Sequence, residues 1–496
     1  VIIKGLNVIM ESAMQKILFA TSEAHPLIKT GGLADVASSL PRALLKRGHD
    51  VKILLPAYAS VLVKAKEVGV KKMGELAISG QTITLLQTRL PGSRVVVILV
   101  DIPQFSEREG NPYCGPDGND WSDNHWRFFV FAKAAEAIAL NQANLNWQPD
   151  IVHCNDWQTG LIPALLAQSE TKPATVFTIH NLAYRGLFSY QTFAELGLPS
   201  DYWHHEKLEF YGQMSFIKGG LAFADAITTV SQSYAQEIQT PEFGCGLEGV
   251  LRARTKDLSG VLNGIDMDEW NPGSDKLIEH NYNRRTVNQK VKNKLALQEK
   301  LGLPVSEAIP VLGFIGRLVE QKGIDLILNQ MDQLLTHDCQ VVILGSGFAT
   351  YEQALKNIAA QYPTKVSVTI GYNEAFAHQI EASADMFLMP SMFEPCGLNQ
   401  MYSLRYGTLP IVNAVGGLRD TVIEKPFDNI GADGNGFVFH LPTAEDLHLT
   451  IKRALACYQQ PDVWKKLQQN AMNQDFSWEK SAERYEEIYA SIVKIV

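Results

Sequence analysis

Nowhere in the 496 residues is there an apolar run of the roughly 18 residues that a membrane-crossing helix needs, which excludes a conventional transmembrane span. Positive charge is in deficit: 44 Lys and Arg against 53 Asp and Glu give a formal charge of −9 and an isoelectric point near 5.8. There is therefore no basic footprint for nucleic acid, and an anionic ligand must be gripped locally. Cysteine is sparse, with residues 114, 154, 245, 339, 396 and 457 scattered and no CxxC pair. That spacing disfavours a zinc ribbon or a disulfide framework, fits a reducing compartment, and makes the cytoplasm the expected location. A fixed-period repeat and low-complexity tracts are missing too. Gly345-Ser346-Gly347 lacks the third glycine of a dinucleotide fingerprint, since Thr350 stands in its place, and reads as a tight turn. A nicotinamide oxidoreductase is disfavoured on that ground. The histidines at 153, 180, 204 and 205 match no common metal-ligand spacing.

What is present is 46% hydrophobic and 20% charged, the balance of a soluble globular chain long enough for two or three domains. Residues 1–13 read as an extension without the long apolar core of a secretory signal, and organised sequence starts at Met14. Continuous apolar runs at Lys16–Ala20, Val51–Leu55, Val95–Val100, Asp150–His153, Thr175–Ile179 and Ala226–Val230 alternate with helical stretches. Such runs predict a parallel sheet covered on both faces. The helix expected over Leu33–Arg47 carries Pro41, where a kink or restart is expected, and Phe105–Asp120 reads as a long loop. A second series of strand, turn and helix begins near residue 260, with strands at Val311–Ile315, Gln340–Leu344 and Val366–Ile370 and a run ending at Pro390. The expected organisation is residues 14–260 and 261–474 as two Rossmann-like domains, with 475–496 as a helix crossing back to the first.

The stretch Ser391-Met392-Phe393-Glu394-Pro395-Cys396-Gly397-Leu398-Asn399-Gln400 turns from the last of these strands into a helix. In an open α/β sheet such turns lie where ligands bind. The amides of Leu398 and Asn399 open the helix, whose positive end suits a phosphate, and Glu394 suits a hydroxyl-rich group attached to that phosphate. A surface turn with a solvated glutamate would have the same spelling. Lys29-Thr30-Gly31-Gly32 pairs a mobile ammonium with a glycine turn, which is either an anion cradle or a structural bend. Arg317 and Lys322 follow a strand and would neutralise a diphosphate without metal, or else sit as ordinary charges on a solvated loop. Asp156, His180 and Asn181 end neighbouring strands and are candidate ligands for sugar hydroxyls. Asp266-Met267-Asp268 has the spelling of a metal-holding pair, but its turn-like setting next to Trp270 argues for a plain turn, and no metal site is assigned.

In order along the chain, Lys29-Thr30-Gly31-Gly32-Leu33-Ala34-Asp35-Val36, His180-Asn181-Leu182-Ala183-Tyr184, Asn263-Gly264-Ile265-Asp266, Gly316-Arg317-Leu318 with Gln321-Lys322-Gly323, and Phe393-Glu394-Pro395-Cys396-Gly397-Leu398 resemble bacterial glycogen synthases and plant starch synthases. The resemblance runs from about Met14 to Asp475-Phe476-Ser477-Trp478. It implies an α/β GT-B fold, two Rossmann-like domains with parallel sheets facing a deep cleft; because water there would hydrolyse the donor, closure on binding is expected. It also implies transfer of glucose from ADP-glucose, with retention and without a cofactor, to the non-reducing end of an α-1,4-glucan such as glycogen, starch or a maltooligosaccharide.

On matching positions, the resemblance makes Glu394, His180, Asp156, Arg317 and Lys322 catalytic. It gives substrate-binding roles to Lys29, Gly31, Gly32, Asp35, Asn181, Asn263, Tyr372, Cys396, Gly397, Leu398 and Asn399. Asn399 stands where some bacterial members have Thr, and Tyr402 where the wider superfamily has a second Glu, so no second acid is assigned. The competing expectations are a retaining GT-B transferase using UDP-glucose or a small acceptor, and a catalytically silent glucan-binding protein of the same fold.

Overall fold

The computed structural model describes residues 14–431 and 433–493, so the expected extension over residues 1–13 lies outside the described residues. The chain divides into two compact units. The first runs through Thr229 and takes in Ile238–Val261 and the stretch from Trp478, while the second comprises Val230–Glu237 and Leu262–Ser477. The excursion Val230–Glu237 was not foreseen, because no break in the sequence pattern marks it.

Strands of the first unit are β1 Lys16–Ala20, β2 Asp50–Pro56, β3 Lys71–Ile78, β4 Gln81–Arg89, β5 Val96–Asp101, β6 Ile151–Asn155, β7 Ala174–Ile179, β8 Leu187–Phe188, β9 Glu209–Phe210, β10 Gln213–Ser215, β11 Ala226–Thr229 and β12 Leu258–Gly260. Nine of them form one sheet in the order β12-β11-β7-β6-β1-β2-β5-β4-β3, and β8, β10 and β9 form a small separate one. The interior strands are largely buried along their whole length, as the sequence predicts for a sheet covered on both faces. The edge departs from the all-parallel expectation. There β3 and β4 form an antiparallel hairpin and β4 pairs antiparallel with β5. Ser79 and Gly80, at φ 49° and 78°, make the two-residue turn, and the mixed exposure along β3 is that of an edge strand rather than a core strand. The helix Gly32–Lys46 runs through Pro41 unbroken, and the last helix, Trp478–Ile492, packs against it. Arg47 clasps Glu486 at 2.8 Å, and Tyr489 OH lies 2.7 Å from His153 Nδ1 in the sheet.

In the second unit β13 Val311–Leu318, β14 Gln340–Gly347, β15 Val366–Ile370, β16 Met386–Met389, β17 Leu409–Asn413 and β18 Phe437–Phe439 make an all-parallel sheet ordered β15-β14-β13-β16-β17-β18. Gly345-Ser346-Gly347 is not the tight turn expected from its spelling but the end of β14. A Cβ on Gly345 would stand 2.0 Å from the Gly316 carbonyl, and one on Gly347 2.1 Å from that of Leu318, so these glycines serve close strand approach. Asp266 Oδ1 accepts the amides of Asp268 and Glu269, which makes Asp266-Met267-Asp268 a side-chain-capped turn.

Gly323, left-handed at φ 69°, joins β13 to the helix Ile324–Leu334, and a Cβ there would lie 2.0 Å from the Pro390 carbonyl. Gly323→Ala is expected to cost at least about 1–3 kcal/mol from backbone strain alone and to lower the calorimetric melting temperature. An unchanged melting temperature would contradict this packing.

Candidate active site

Both sheets have a point at which the chain stops adding strands in one direction and resumes in the other. In such sheets the turns at the carboxyl ends of the two strands flanking that point diverge and leave a crevice. In the second unit the point lies between β13 and β16, since β14 and β15 go to one side and β17 and β18 to the other. Arg317 and Lys322 come from the end of β13 and the turn after it, and Glu394 from the turn after β16. Lys322 Nζ sits 2.5 Å from Glu394 Oε2, which also accepts from Ser391 Oγ at 3.0 Å. Both bonds use the same oxygen of the buried carboxylate, so Oε1 remains for another donor. Arg317 is exposed and donates to Gln321 at 3.2 Å, while Gln321 donates to the Phe393 carbonyl at 3.2 Å and cross-links the two turns.

The turn holding Glu394 is braced from several sides. A Cβ on Gly416 would lie 2.0 Å from the Glu394 carbonyl, and one on Gly417 2.0 Å from that of Cys396. Ser231 Oγ donates to the Pro395 carbonyl at 2.5 Å, and Glu237 accepts the Gly416 amide at 2.8 Å. The excursion Val230–Glu237 thus supports this turn from behind. Gly397 is left-handed at φ 70°, the helix Asn399–Tyr406 opens directly after Leu398, and Asn399 Nδ2 donates to the Ile315 carbonyl at 2.8 Å. Cys396 is buried, which pushes its thiol up to about 12, and Asn263 hydrogen-bonds to it. This thiol is packing rather than a nucleophile. Tyr372 follows β15 and Gly371 on the same edge of the sheet and is 76% exposed.

In the first unit the corresponding point lies between β1 and β6. Asp156 follows β6 at φ 57°, a left-handed conformation for a non-glycine residue. Its Oδ1 accepts the amides of His180 at 2.7 Å and, more weakly, of Asn181 at 3.4 Å, so the turns after β6 and β7 are locked together. Burial pushes the Asp156 carboxyl up to about 7 against the opposing pull of those amides. His180 Nε2 lies 2.9 Å from Asn155 Oδ1, and Asn155 Nδ2 is spent on the Ala20 carbonyl at 3.0 Å. Nε2 therefore carries the proton, and burial holds the imidazole neutral by lowering it to about 3.

Lys29 pairs with Asp35 at 2.8 Å on the exposed lip of the turn after β1. The amide expected to face a ligand at Gly31 donates instead to the buried Glu23, at 3.2 Å, and Thr30 N donates to the same carboxylate at 2.5 Å. The anion cradle read from Lys29 to Gly32 is thus partly filled from within, with Gly32 opening the helix. Glu23, which Tyr113 OH also reaches at 2.5 Å, was missed, although a carboxylate shortly ahead of a paired-glycine turn was a visible signal. Asn155, Ser231 and Glu237 were missed as well, and nothing local in the sequence marks their partners.

A family model of the starch synthase catalytic domain matches residues 16–253, and one of glycosyl transferases group 1 matches residues 296–472. A glycogen synthase from Cellvibrio japonicus is 71% identical over 479 residues, covering 97% of this chain and 100% of that protein. The chain belongs to the glycogen synthase family. A second glycogen synthase, from Marinobacter nauticus, is 52% identical over 97% of this chain and 98% of its own length. The solved catalytic domain of starch synthase IV from Arabidopsis thaliana, bound to ADP and acarbose, superimposes with a TM-score of 0.86 at 31% identity, covering 97% of this chain and 100% of that one. The fold is GT-B, and the chain is a glycosyltransferase, as the resemblance implied. No described helix is long and apolar enough to cross a membrane.

The raised Asp156 carboxyl generates a test whose sign is fixed. A carboxyl held above its unfolded value of about 3.9 contributes stability at low pH that is lost as pH rises to about 7. Asp156→Asn keeps the acceptor for the His180 amide but cannot ionise. Its melting temperature relative to the native protein should rise between pH 4.5 and pH 8, and a constant or falling difference would contradict the assignment.

Proposed function

We propose that the chain transfers glucose from ADP-glucose to the non-reducing end of an α-1,4-glucan with retention of configuration, without a metal in the reaction. The observation that carries this reading is the meeting of Arg317, Lys322 and Glu394 at the β13/β16 switch point, directly before the helix Asn399–Tyr406. That set offers fixed cations and helix-end amides for a diphosphate, and beside them a carboxylate oxygen for a sugar hydroxyl. The ADP bound to the Arabidopsis starch synthase supports the donor, and the names of the bacterial relatives support the polymer product.

Breaking the glucosyl–phosphate bond places positive charge on the sugar ring and negative charge on the departing diphosphate. Stabilising the second is the larger task, and it falls to Arg317, Lys322 and the amides of Leu398 and Asn399, all oriented before reaction. Lys322 is held by Glu394, so its ammonium meets the diphosphate already positioned. Glu394 Oε1 accepts from a donor-glucose hydroxyl, and Tyr372 offers its ring to the nucleotide base. Asn263 and Cys396 shape the turn, with Gly397 allowing close approach. In the first unit, neutral His180 presents Nδ1 as an acceptor, and Asp156 and Asn181 bind glucose hydroxyls. Lys29, oriented by Asp35, contacts the donor, and the turn through Gly31 and Gly32 sets its reach. Tyr402 stands where the wider superfamily has a second Glu, so no second acid is assigned as a nucleophile; the acceptor hydroxyl attacks from the side the diphosphate leaves, and the departing phosphate takes its proton. All six cysteines are free, which supports a reducing, cytoplasmic setting.

Incubation with a maltooligosaccharide and either ADP-glucose or UDP-glucose, with no added metal, should give a ladder of longer chains with ADP-glucose. Extension only with UDP-glucose would replace the donor, and no extension with either would favour a silent glucan-binding protein. Lys322→Ala should lower kcat on the order of 10² or more, by analogy with losing one preorganised donor. An unchanged kcat would remove Lys322 from the diphosphate site, and a glucosyl group trapped covalently on Glu394 or Asp156 would overturn same-side attack.

A further inference from the structure

A second cluster in the C-terminal unit has no part in this chemistry. The helix Glu374–Ser383 follows β15, capped by Asn373, whose side chain accepts the Phe376 amide at 2.9 Å. Glu374 and His378 are four residues apart on it and share a face. Opposite them stands Glu269, presented by the turn that Asp266 caps. One carboxylate oxygen from each glutamate and a ring nitrogen of His378 all lie within 4.8 Å of one another.

The histidine is built as a ligand. It is 1% exposed, and its Nδ1 lies 2.8 Å from Asp275 Oδ2, which also accepts from Tyr406 OH at 2.6 Å. Donation from Nδ1 to a carboxylate fixes the tautomer with a lone pair on Nε2, the arrangement that orients metal-bound imidazoles. Nε2 is buried and has no hydrogen-bond partner. The ring cannot tilt away, because Trp270 stacks on it at 3.8 Å and 16°, and Tyr402 stacks on the other face of Trp270 at 3.7 Å. The glutamates, in contrast, are exposed and adjustable. Ligands about 2.0–2.1 Å from a tetrahedral ion stand roughly 3.4 Å apart, a closing movement two glutamate side chains can make.

We propose that Glu269, Glu374 and His378 bind one divalent transition-metal ion of the zinc class, with Asp275 orienting the imidazole, and that the ion ties the Asp266–Trp270 turn to the helix after β15. One nitrogen and two carboxylate oxygens suit zinc, cobalt or manganese better than magnesium, which keeps its water and takes oxygen ligands. The site is structural and lies outside the diphosphate chemistry, so its test does not use activity. The rival occupant is a proton shared between the two glutamates.

The full chain, stripped with chelator, would be titrated with Zn²⁺ by calorimetry and with Co²⁺ by visible absorption. One equivalent is expected, with a Co²⁺ spectrum showing nitrogen ligation and a raised melting temperature. Glu269→Gln with Glu374→Gln, both on the surface, should weaken binding at least about tenfold while circular dichroism stays native. His378→Ala should abolish it, and since that change leaves Asp275 short of a buried partner, the glutamate pair is the deciding variant. Absence of saturable binding, or binding unchanged in the glutamate variant, would overturn the proposal in favour of the shared proton.

Discussion

Between β13 and β16 the second sheet reverses the direction in which it grows, and two loops are driven apart at the carboxyl ends of adjacent strands. Into that gap one loop sends Lys322 and the other Glu394, and their 2.5 Å ion pair holds both. A buried carboxylate is tolerated there because it is paired and also accepts from Ser391. In the proposed mechanism the pairing has a functional consequence: the ammonium that would meet departing negative charge stands oriented beforehand, and reorientation is not added to the barrier. The close approaches at Gly323, Gly416 and Gly417 and the bonds from Ser231 and Glu237 read as support for this one arrangement.

The first unit solves a different electrostatic problem. Its switch-point residues are shielded rather than charged. His180 is kept neutral, and the Asp156 carboxyl is raised by burial. Groups of that kind exchange hydrogen bonds with uncharged hydroxyls, which suits a sugar better than a phosphate. The one surface cation of the turn after β1, Lys29, is tethered to Asp35, and the amides of Thr30 and Gly31 are spent on Glu23.

Much of this was legible in the sequence because it is local. The runs that became β1, β2, β5, β6, β7 and β11 are largely buried and rich in apolar and β-branched residues, so position and type were readable together. The turn around Glu394 announced itself through a strand, a proline, a glycine and a helix start in succession. What escaped depends on distant partners or on context. Gly345-Ser346-Gly347 has the composition of a turn, yet the proximity of the Gly316 and Leu318 carbonyls makes it a strand. Ser231 is 164 residues from the carbonyl it supports, and no local pattern encodes such a pairing. The β3–β4 hairpin was passed over because edge strands mix polar and apolar residues. His378 gave no local signal as a ligand, since its meaning comes from Asp275, 103 residues away, fixing which nitrogen is left over.

Whether the β13/β16 switch point holds the donor diphosphate, as proposed, is decided by a crystal structure with ADP. The phosphate oxygens should lie within about 3.2 Å of Lys322 Nζ and of an Arg317 guanidinium nitrogen, with the amides of Leu398 and Asn399 directed at them. A diphosphate bound elsewhere, with Lys322 still closed on Glu394 and Arg317 still on Gln321, would contradict the account.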